Sequence, residues 1–367
     1  MNEYFYVLTM IDLFVLSFMC VLTKLSESLN RKQKRGFFLA YTLIAVISVL
    51  EGVTILVDGT AVQNRWLNIA SNYLGFGLSP AVSLCLVYVL DKKPSTRRGL
   101  RAAAVCEAVY LAVLAATLPN GMVFSVSEEN VYSRGEFFEV YVVMYFAAIV
   151  YLAISTIITA AEFQNRSRVL IYPLIVFLMV ESIIQIELPQ LHVTWLSVTL
   201  LSVLYFIYCS EMWNQLDALT GLLNQNSYLN RAAEMCRSGE VLVVFDVDDF
   251  KQVNDRYGHV KGDICLAEIA ACIKKAYARH GYCYRTGGDE FCVLLRDGDR
   301  EHACARDFVR RLSERRKELD FLPTVSFGSA ALSSENVVTV KDRADHNMYR
   351  YKKERKAHRI SEDAGEE

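Results

Sequence analysis

The stretch YCYRTGGDEFCVLL, residues 282–295, places apolar and aromatic runs on both sides of a Gly-Gly pair. This pattern predicts two strands joined by a tight turn, because paired glycines admit backbone conformations that other residues avoid. Upstream, VLVVFDV at 241–247 predicts a buried strand and ICLAEIAACIKKAYA at 264–278 predicts an amphipathic helix. The remaining predicted elements are a charged helix at about 300–318, a strand at 324–330 and a helix at about 337–357. This order predicts an α/β sandwich in which helices cover a sheet.

Carboxylates stand at the ends of two of these strands. Asp246 follows the apolar run VLVVF, and Asp289 with Glu290 follows Gly287 and Gly288. If the two strands are neighbours in the sheet, the acids converge on one edge. Carboxylate oxygens without nearby His or Cys suit Mg²⁺, and paired glycines let a phosphate or a partner backbone approach closely. Taken alone, the four residues at 287–290 are equally compatible with an ordinary exposed turn.

Charge divides the chain into two halves. Up to Ser210 there are 14 basic and 14 acidic residues, about 13% of the positions, whereas the following 157 residues hold 25 basic and 27 acidic, about 33%. Overall the 367 residues are 53% hydrophobic with a net charge of −2, which excludes a disordered or collagen-like chain. Ten cysteines without a CxxC pair argue against a disulfide framework or a zinc site, and the near-neutral charge argues against nucleic-acid binding.

Seven apolar runs in the first half are long enough to cross a bilayer, which takes about 17–25 residues. They lie at roughly 4–23, 37–56, 66–90, 101–119, 138–161, 169–186 and 193–209. Basic residues concentrate in the first, third and fifth connecting loops, so the positive-inside rule predicts an outer N-terminus and a cytoplasmic second half. The first run lacks a basic leader and a cleavage site, which predicts a retained helix rather than a signal peptide.

Acidic residues occur within or at the edges of the predicted spans. They are Asp12, Glu51, Glu107, Glu139 and Glu181. Burial of a carboxylate in hydrocarbon is costly, so such groups usually face a bundle interior or a watery cavity. Glu51, Glu139 and Glu181 fall toward the outer ends of their spans. Two interpretations remain open: an outward-facing pocket for a cationic or polar ligand, and interfacial or internally paired acids with a structural role.

Five segments of the second half occur in the order found in one known family. They are DALTGLLNQ at 217–225, DVDDFKQVNDRYGHVKGD at 246–263, RTGGDEF at 285–291, VSFGSA at 325–330 and ADHNMYRYK at 344–352. Together they resemble the GGDEF family of diguanylate cyclases over about 140 residues. The resemblance implies a palm-like fold with a mixed antiparallel sheet covered by helices, which here follows a multi-pass all-α membrane domain.

The resemblance also implies a reaction and its metal ligands. Two GTP molecules would condense into cyclic di-GMP with release of pyrophosphate, each held by one domain of a homodimer. Asp246 and Asp289, with the backbone carbonyl of Val247, would bind two Mg²⁺ or Mn²⁺ ions, and Asp289 would also serve as the catalytic base. The other residues assigned to this part of the site are Glu290, which completes the acidic turn, and Gly287 and Gly288, which are assigned to cofactor binding.

The resemblance assigns guanine selection to Asn254 and Asp263. A carboxylate accepts hydrogen bonds from guanine N1–H and the exocyclic amine together, and adenine offers no such donor pair, so Asp263 favours GTP over ATP. His259 is assigned to the wall of the substrate pocket, with a turn-stabilising role as the alternative. The basic residues assigned to the triphosphate are Lys251, Lys352 and Lys356.

This sequence departs from the family pattern at several positions. Gln225 follows Asn224 where the family usually has Arg, and Lys356 stands where Arg is usual, which loses a bidentate fork for phosphate. The family's inhibitory product site needs Arg and Asp in an RxxD just before the signature, but Ala278 and Gly281 occupy those positions. The sequence therefore predicts no feedback inhibition through that site.

The predicted organisation is a seven-helix transmembrane sensor domain (1–209), a short connector helix (210–218), a GGDEF catalytic domain (219–360) and an acidic tail (361–367). It implies a location in a bacterial cytoplasmic (inner) membrane. The expected partners are GTP, the bilayer and a small-molecule or physical stimulus of unknown identity. A different class of function also fits, a catalytically silent GTP-binding receptor or scaffold that signals by contact, although the intact carboxylates favour the enzyme.

Overall fold

A computed structural model describes residues 2–90, 94–163, 171–187, 193–232, 240–332 and 337–363. The chain separates into two compact units, Met1–Asn214 and Gln215–Glu367. The described part of the N-terminal unit is helical apart from short turns and one small hairpin, and the C-terminal unit mixes helices with a sheet.

The N-terminal unit contains seven described α-helices. They are α1 (Asn2–Leu25), α2 (Arg31–Val57), α3 (Arg65–Val89), α4 (Pro94–Thr117), α5 (Glu139–Glu162), α6 (Ile171–Glu187) and α7 (Thr194–Asn214). Among the described residues, all of these except α6 are long and apolar enough to cross a membrane. Helix α6 has 17 residues, at the lower limit for a crossing, and its described apolar stretch is Ile171–Glu181. The count of seven crossings therefore stays a prediction.

The predicted connector helix at 210–218 extends too far. Helix α7 ends at Asn214, and the backbone N–H of Asn224 donates to the Gln215 carbonyl at 2.9 Å. Leu216 then pairs with Leu223 in an isolated β-bridge. The chain turns back on itself at this point, so the backbone groups that would continue the helix are used by the following segment.

A short hairpin lies in the predicted acidic loop between α4 and α5. Strand β1 (Phe124–Val126) pairs antiparallel with β2 (Tyr132–Arg134). Asn130, at the turn, has a left-handed φ of 61° and is fully buried, and its side-chain amide donates to the Val57 carbonyl at 2.6 Å. No sequence pattern indicated this hairpin, because strands of three residues are too short to show an alternation of apolar and polar side chains.

The described residues of the C-terminal unit form four strands and five α-helices. The strands are β3 (Val241–Val247), β4 (Gly281–Arg285), β5 (Glu290–Leu295) and β6 (Val325–Ala331). The helices are α8 (Gln225–Ala232), α9 (Phe250–Tyr257), α10 (His259–Tyr277), α11 (Glu301–Glu318) and α12 (Val337–Asp363). The order in the sheet is β4-β5-β3-β6, and every pair of neighbours is antiparallel. The predicted α/β sandwich is confirmed, with α8 and α9 as additional helices.

Both faces of the sheet are covered by helices. Val243 and Phe245 belong to the core that α10 and α11 complete, whereas Leu242 and Val244 belong to the core that includes α12. Successive side chains of a strand point to opposite faces, so a strand buried on both faces is apolar at every position. This explains the unbroken run VLVVF that precedes Asp246.

Helix α12 lies directly against strand β6. A Cβ atom at Gly328 would stand 2.2 Å from the Met348 backbone nitrogen and 2.5 Å from the Ala344 carbonyl oxygen. Only glycine permits this approach, and the approach brings the residues that follow Met348 toward the end of β3 where Asp246 lies.

Candidate active site

The acids predicted to converge do lie at one edge of the sheet. Asp246 of β3 is the register partner of Glu290 of β5, and the Val247 N–H donates to the Asp289 carbonyl at 3.3 Å. The antiparallel pairing of β3 with β5 therefore brings together two segments that are distant in sequence. We call Asp246, Asp289 and Glu290 the acidic edge.

The turn between β4 and β5 is tight on one side and open on the other. The N–H groups of Thr286 and Gly287 donate to the Glu290 carbonyl at 3.0 and 3.4 Å. A Cβ atom at Gly287 would lie 3.2 Å from Glu290 side-chain atoms, whereas a Cβ at Gly288 would meet nothing within 4 Å. Gly288 therefore presents an open backbone surface, as an approaching phosphate or partner backbone requires.

Arg285 holds this turn to the start of the C-terminal unit. Its guanidinium donates to the Gly288 carbonyl at 2.7 Å and forms an ion pair with Asp217, with an Nη1–Oδ1 distance of 3.1 Å. Asp217 also accepts from the Thr220 N–H at 2.8 Å and the Thr220 hydroxyl at 2.6 Å. Burial opposes ionisation of Asp217, but the hydrogen bonds from Thr220 and Arg285 outweigh it and lower its pKa. The sequence had assigned no role to this pair.

Lys352 of α12 reaches the acidic edge. Its ammonium donates a hydrogen bond to Asp246 Oδ2 and lies 3.6 Å from Asp248 Oδ1. Burial works against the ammonium charge, but the hydrogen bond to Asp246 and the charges of Asp246 and Asp248 outweigh it and raise the pKa of Lys352. A positive charge therefore stands beside the carboxylates, at the position where a phosphate would need it.

Asp248 is a further carboxylate that the sequence did not single out. It accepts from the Thr324 hydroxyl and the Ser326 hydroxyl, each at 2.6 Å, and its side chain is 15% exposed. Its backbone N–H also donates to the Thr324 carbonyl at 2.9 Å. These bonds tie the turn after β3 to the start of β6, so Asp248 supports the end of the strand that carries Asp246.

Two more residues of α12 lie near the acidic edge. The Lys341 ammonium is 4.0 Å from Glu290 Oε2. Burial raises the pKa of Asp345, and the negative charges of Glu290 and Asp246 add to this while Lys341 opposes it. Positions 341, 345 and 352 share one helical face, since they are spaced by four and seven residues. That spacing is the signal through which the sequence could have indicated them.

The residues assigned to guanine lie where α9 meets α10. Gly258, with a φ of 81°, separates the two helices, and its N–H donates to the Asn254 carbonyl at 2.9 Å. A Cβ atom at Gly262 would stand 2.0 Å from Asn254 Oδ1, so the Asn254 amide packs against the first turn of α10. Asp263 is the next residue in that turn and is exposed.

The other predicted substrate residues are not drawn into this cluster. Lys251 and His259 are exposed. The side chain of Lys356 lies outside the described residues.

The donor atoms at the acidic edge fit a magnesium-nucleotide complex better than a free metal ion. Within the described ranges, no group of three or more His, Cys, Asp and Glu side chains could hold a metal. Asp246, Asp289 and the Val247 carbonyl would therefore need further oxygen ligands, which the phosphates of a bound nucleotide supply. Carboxylates, an open glycine and a nearby lysine define a class of site suited to metal-assisted phosphoryl or nucleotidyl chemistry.

Comparison with known proteins agrees with this class. Residues 214–358 match the family described as "Diguanylate cyclase, GGDEF domain", which confirms the predicted GGDEF resemblance for this segment. Diguanylate cyclase DgcZ of Escherichia coli is 31% identical over 155 residues, which cover 40% of this chain and 52% of DgcZ. Diguanylate cyclase DgcN of the same organism is 31% identical over 158 residues, which cover 38% of this chain and 37% of DgcN.

The GGDEF domain of DgcB from Caulobacter crescentus, solved in complex with c-di-GMP, is a similar structure. It shares 28% identity, the match covers 38% of this chain and 90% of that one, and the TM-score is 0.35. The chain spans about half, or less, of the length of the curated relatives that it matches.

Proposed function

We propose that this protein is a membrane-anchored diguanylate cyclase that condenses two GTP molecules into cyclic di-GMP and releases pyrophosphate. The observation that carries the proposal is the placement of Asp246 and the Asp289 turn at one sheet edge by the β3–β5 register, inside a segment that matches the GGDEF family. The six long apolar helices of the first unit supply the anchor. The acidic edge lies in the cytoplasm if the N-terminus is outside and α6 also crosses the membrane, because an odd number of crossings puts the two ends of the chain on opposite sides.

In this proposal the acidic edge holds the metal-bound triphosphate. Asp246, Asp289 and the Val247 carbonyl are the ligands for a divalent ion, Mg²⁺ in the first instance. When bound, that ion neutralises charge on the phosphates and lowers the barrier to displacement of pyrophosphate. Lys352 steadies the triphosphate, and the open backbone of Gly288 allows the phosphates to approach.

Asn254 and Asp263 select the base. Asp263 is exposed in the first turn of α10, and Asn254 packs against the same turn through Gly262. Together they offer a carboxylate and an amide to the Watson–Crick edge of guanine, which presents two adjacent donors and an acceptor. Adenine lacks that donor pair, so ATP is expected to be a poor substrate.

Turnover needs two copies of the C-terminal unit. The 3′-hydroxyl of each GTP attacks the α-phosphate of the other, and Asp289 is placed to take up the hydroxyl proton. The N-terminal unit then acts as a switch, since any stimulus that aligns or separates the two catalytic units changes their effective concentration.

The full chain in lipid nanodiscs, incubated with GTP and Mg²⁺, tests the proposal by mass spectrometry of cyclic di-GMP and assay of pyrophosphate. Asp289→Asn keeps the side-chain volume but removes the charge. We therefore expect the rate of cyclic di-GMP formation to fall about 100-fold or more. The matched control is Asp299→Asn in an exposed turn, which should leave the rate unchanged. Binding of GTP without any product in the unaltered protein would instead favour the silent receptor.

A further inference from the structure

The N-terminal unit contains a cavity between α3, α5, α6 and α7. It measures about 760 Å³, including the space at its open side. Its walls are mostly aliphatic, with Val82, Ile149, Leu152 and Leu174 among the lining side chains. The body of any ligand bound there must therefore be apolar.

The wall from α6 leads to a buried carboxylate. Ile171, Leu174 and Leu178 line the cavity at intervals of three and four residues, which marks one face of the helix. The next position on that face is Glu181, which is only 7% exposed. Neither of its carboxylate oxygens meets the geometry of a hydrogen bond among the described residues, and its nearest polar contact is with the side chain of Thr194.

A second acid lies near the first. Glu51 of α2 interacts electrostatically with Glu181, and both also interact with Tyr141 of α5. A buried carboxylate in a mainly apolar enclosure is costly unless a positive charge joins it. The end of the cavity beside Glu181 therefore favours a positively charged group, whereas the walls beyond it are apolar.

Aromatic rings surround the same end. Trp195 of α7 and Tyr145 of α5 line the cavity, and Tyr141 lies one helical turn beyond Tyr145. The faces of such rings attract alkylammonium groups, most strongly where water is excluded. Acids and rings together favour an organic cation over a metal ion, since no metal-binding group of three or more His, Cys, Asp and Glu side chains occurs in the described part of the chain.

We propose that this cavity binds an amphipathic organic cation, with an ammonium group against Glu181 and an apolar chain along the cavity. Ile171 and Glu181 are ten residues apart on α6, which corresponds to about 15 Å of helix. A linear alkylamine with a chain of similar length matches this shape. The proposal deepens the proposed function by naming the class of stimulus, and in that respect alone it rests on that function.

Binding is tested with dodecylamine and, as the neutral probe of the same length, dodecanol. The chain contains three tryptophans, so Trp66→Phe with Trp213→Phe leaves Trp195 as a fluorescent reporter inside the cavity. In phosphatidylcholine nanodiscs we expect saturable dodecylamine binding that is at least about tenfold tighter than dodecanol binding. Equal affinity for the two probes would overturn the proposal, because the acids would then contribute nothing.

Two substitutions separate the charge from the apolar wall. Glu181→Gln should lower the affinity for dodecylamine about tenfold or more and leave the affinity for dodecanol unchanged. The matched control is Glu107→Gln on α4, a buried acid outside the cavity lining, which should change neither affinity. Equal effects of the two substitutions would show a general membrane or surface-charge effect and would contradict the site.

A third variant keeps the test decisive if Glu181→Gln lowers the yield of folded protein. Ala153→Phe adds a ring at the lining of the cavity and should weaken both probes alike, while size-exclusion profiles of the nanodiscs report folding. Unchanged binding in this variant would place the probes elsewhere.

Cyclase activity is measured in parallel. Dodecylamine should change the rate of the unaltered protein and of Glu107→Gln by the same factor, and leave that of Glu181→Gln unchanged. Binding without any cyclase activity would refute the proposed function and keep the site. An active enzyme that binds neither probe, or binds both equally, would refute only the site.

Discussion

Arg285 joins two parts of the chain that lie 68 residues apart. Its guanidinium connects Asp217, at the start of the C-terminal unit, with the Gly288 carbonyl in the open turn. Both members of the ion pair are largely buried, with 15% and 24% of their side chains exposed. A pair in this setting is screened less than a surface pair, so it contributes to the position of the turn as well as to stability.

The Asp217–Arg285 pair should make stability depend on pH in the acid range. The folded protein lowers the pKa of Asp217 below its usual 3.8, so the stabilisation that its charge contributes is complete above that value. It is lost as the pH falls through the lower pKa of the folded state. Asp217→Asn should therefore unfold more easily than the unaltered protein at pH 6, and the difference should shrink toward pH 3.

Thermal unfolding of both full-length proteins across that pH range provides the measurement. Asp299→Asn, at an exposed position, serves as the control for removal of one carboxylate. A difference that stays constant from pH 6 to pH 3 would mean that the charge of Asp217 is not what stabilises the turn.

Residues that support the site were harder to predict from the sequence than residues within the site. Asp246, Asp289 and Glu290 could be located because each follows an apolar run or a glycine pair. Asp248 could not, because its partner Ser326 lies on β6 rather than beside it in sequence. A single polar residue shows no pattern until the fold supplies its partner.

At the scale of elements, strands were easier to predict than the helix between them. The alternating faces of β3 give an apolar run because both faces are buried. Helix α9 was missed because Val253 is its only buried residue, which leaves no helical period in the sequence. Its place is set by the glycine at position 258 and by packing against α10.

The junction of α9 and α10 leads to a test of base recognition. Gly262→Ala should move the Asn254 amide, since the new Cβ atom would stand 2.0 Å from its Oδ1. We expect KM for GTP to rise at least about tenfold. Stability should not fall, because alanine is favoured over glycine within a helix by about 1 kcal/mol.

Steady-state kinetics and thermal unfolding of the same preparations separate these two effects. Val260→Ala, in the same turn but 75% exposed, is the matched control and should leave KM unchanged. An unaltered KM in Gly262→Ala would show that Asn254 takes no part in binding GTP.

For the whole molecule, the pairing of β4 with β5 supports the prediction that the family's product site is lacking. Gly281, at the position of the required Asp, lies in β4, where a Cβ atom would stand 2.5 Å from the Leu294 carbonyl oxygen. A larger side chain at this position would need β4 and β5 to shift apart. The prediction itself rests on the residue types at positions 278 and 281.

Product inhibition should accordingly be weak. With the full chain in nanodiscs, added cyclic di-GMP should leave the initial rate unchanged until it competes with GTP, and raising GTP should then restore the rate. Potent inhibition that GTP cannot relieve would contradict this expectation and would require a product site made from other residues.

The two-part organisation, the order of the strands along the chain and the acidic residues of the site could all be predicted from the amino-acid pattern. These features can be recognised within short segments, because charge density, apolar runs and glycine pairs are properties of neighbouring residues. The number of membrane crossings remained a prediction, since α6 falls between a helix that is long enough to cross a membrane and a shorter apolar helix. Only the tertiary structure decided which charges meet.

Lys352 reaches Asp246 across 106 residues, and Arg285 reaches Asp217 across 68. The cavity beside Glu181 is lined by residues of four helices. Contacts of this kind depend on strand register and helix packing, which no local stretch of sequence specifies, and they provide the charges and the enclosure on which both proposals rest.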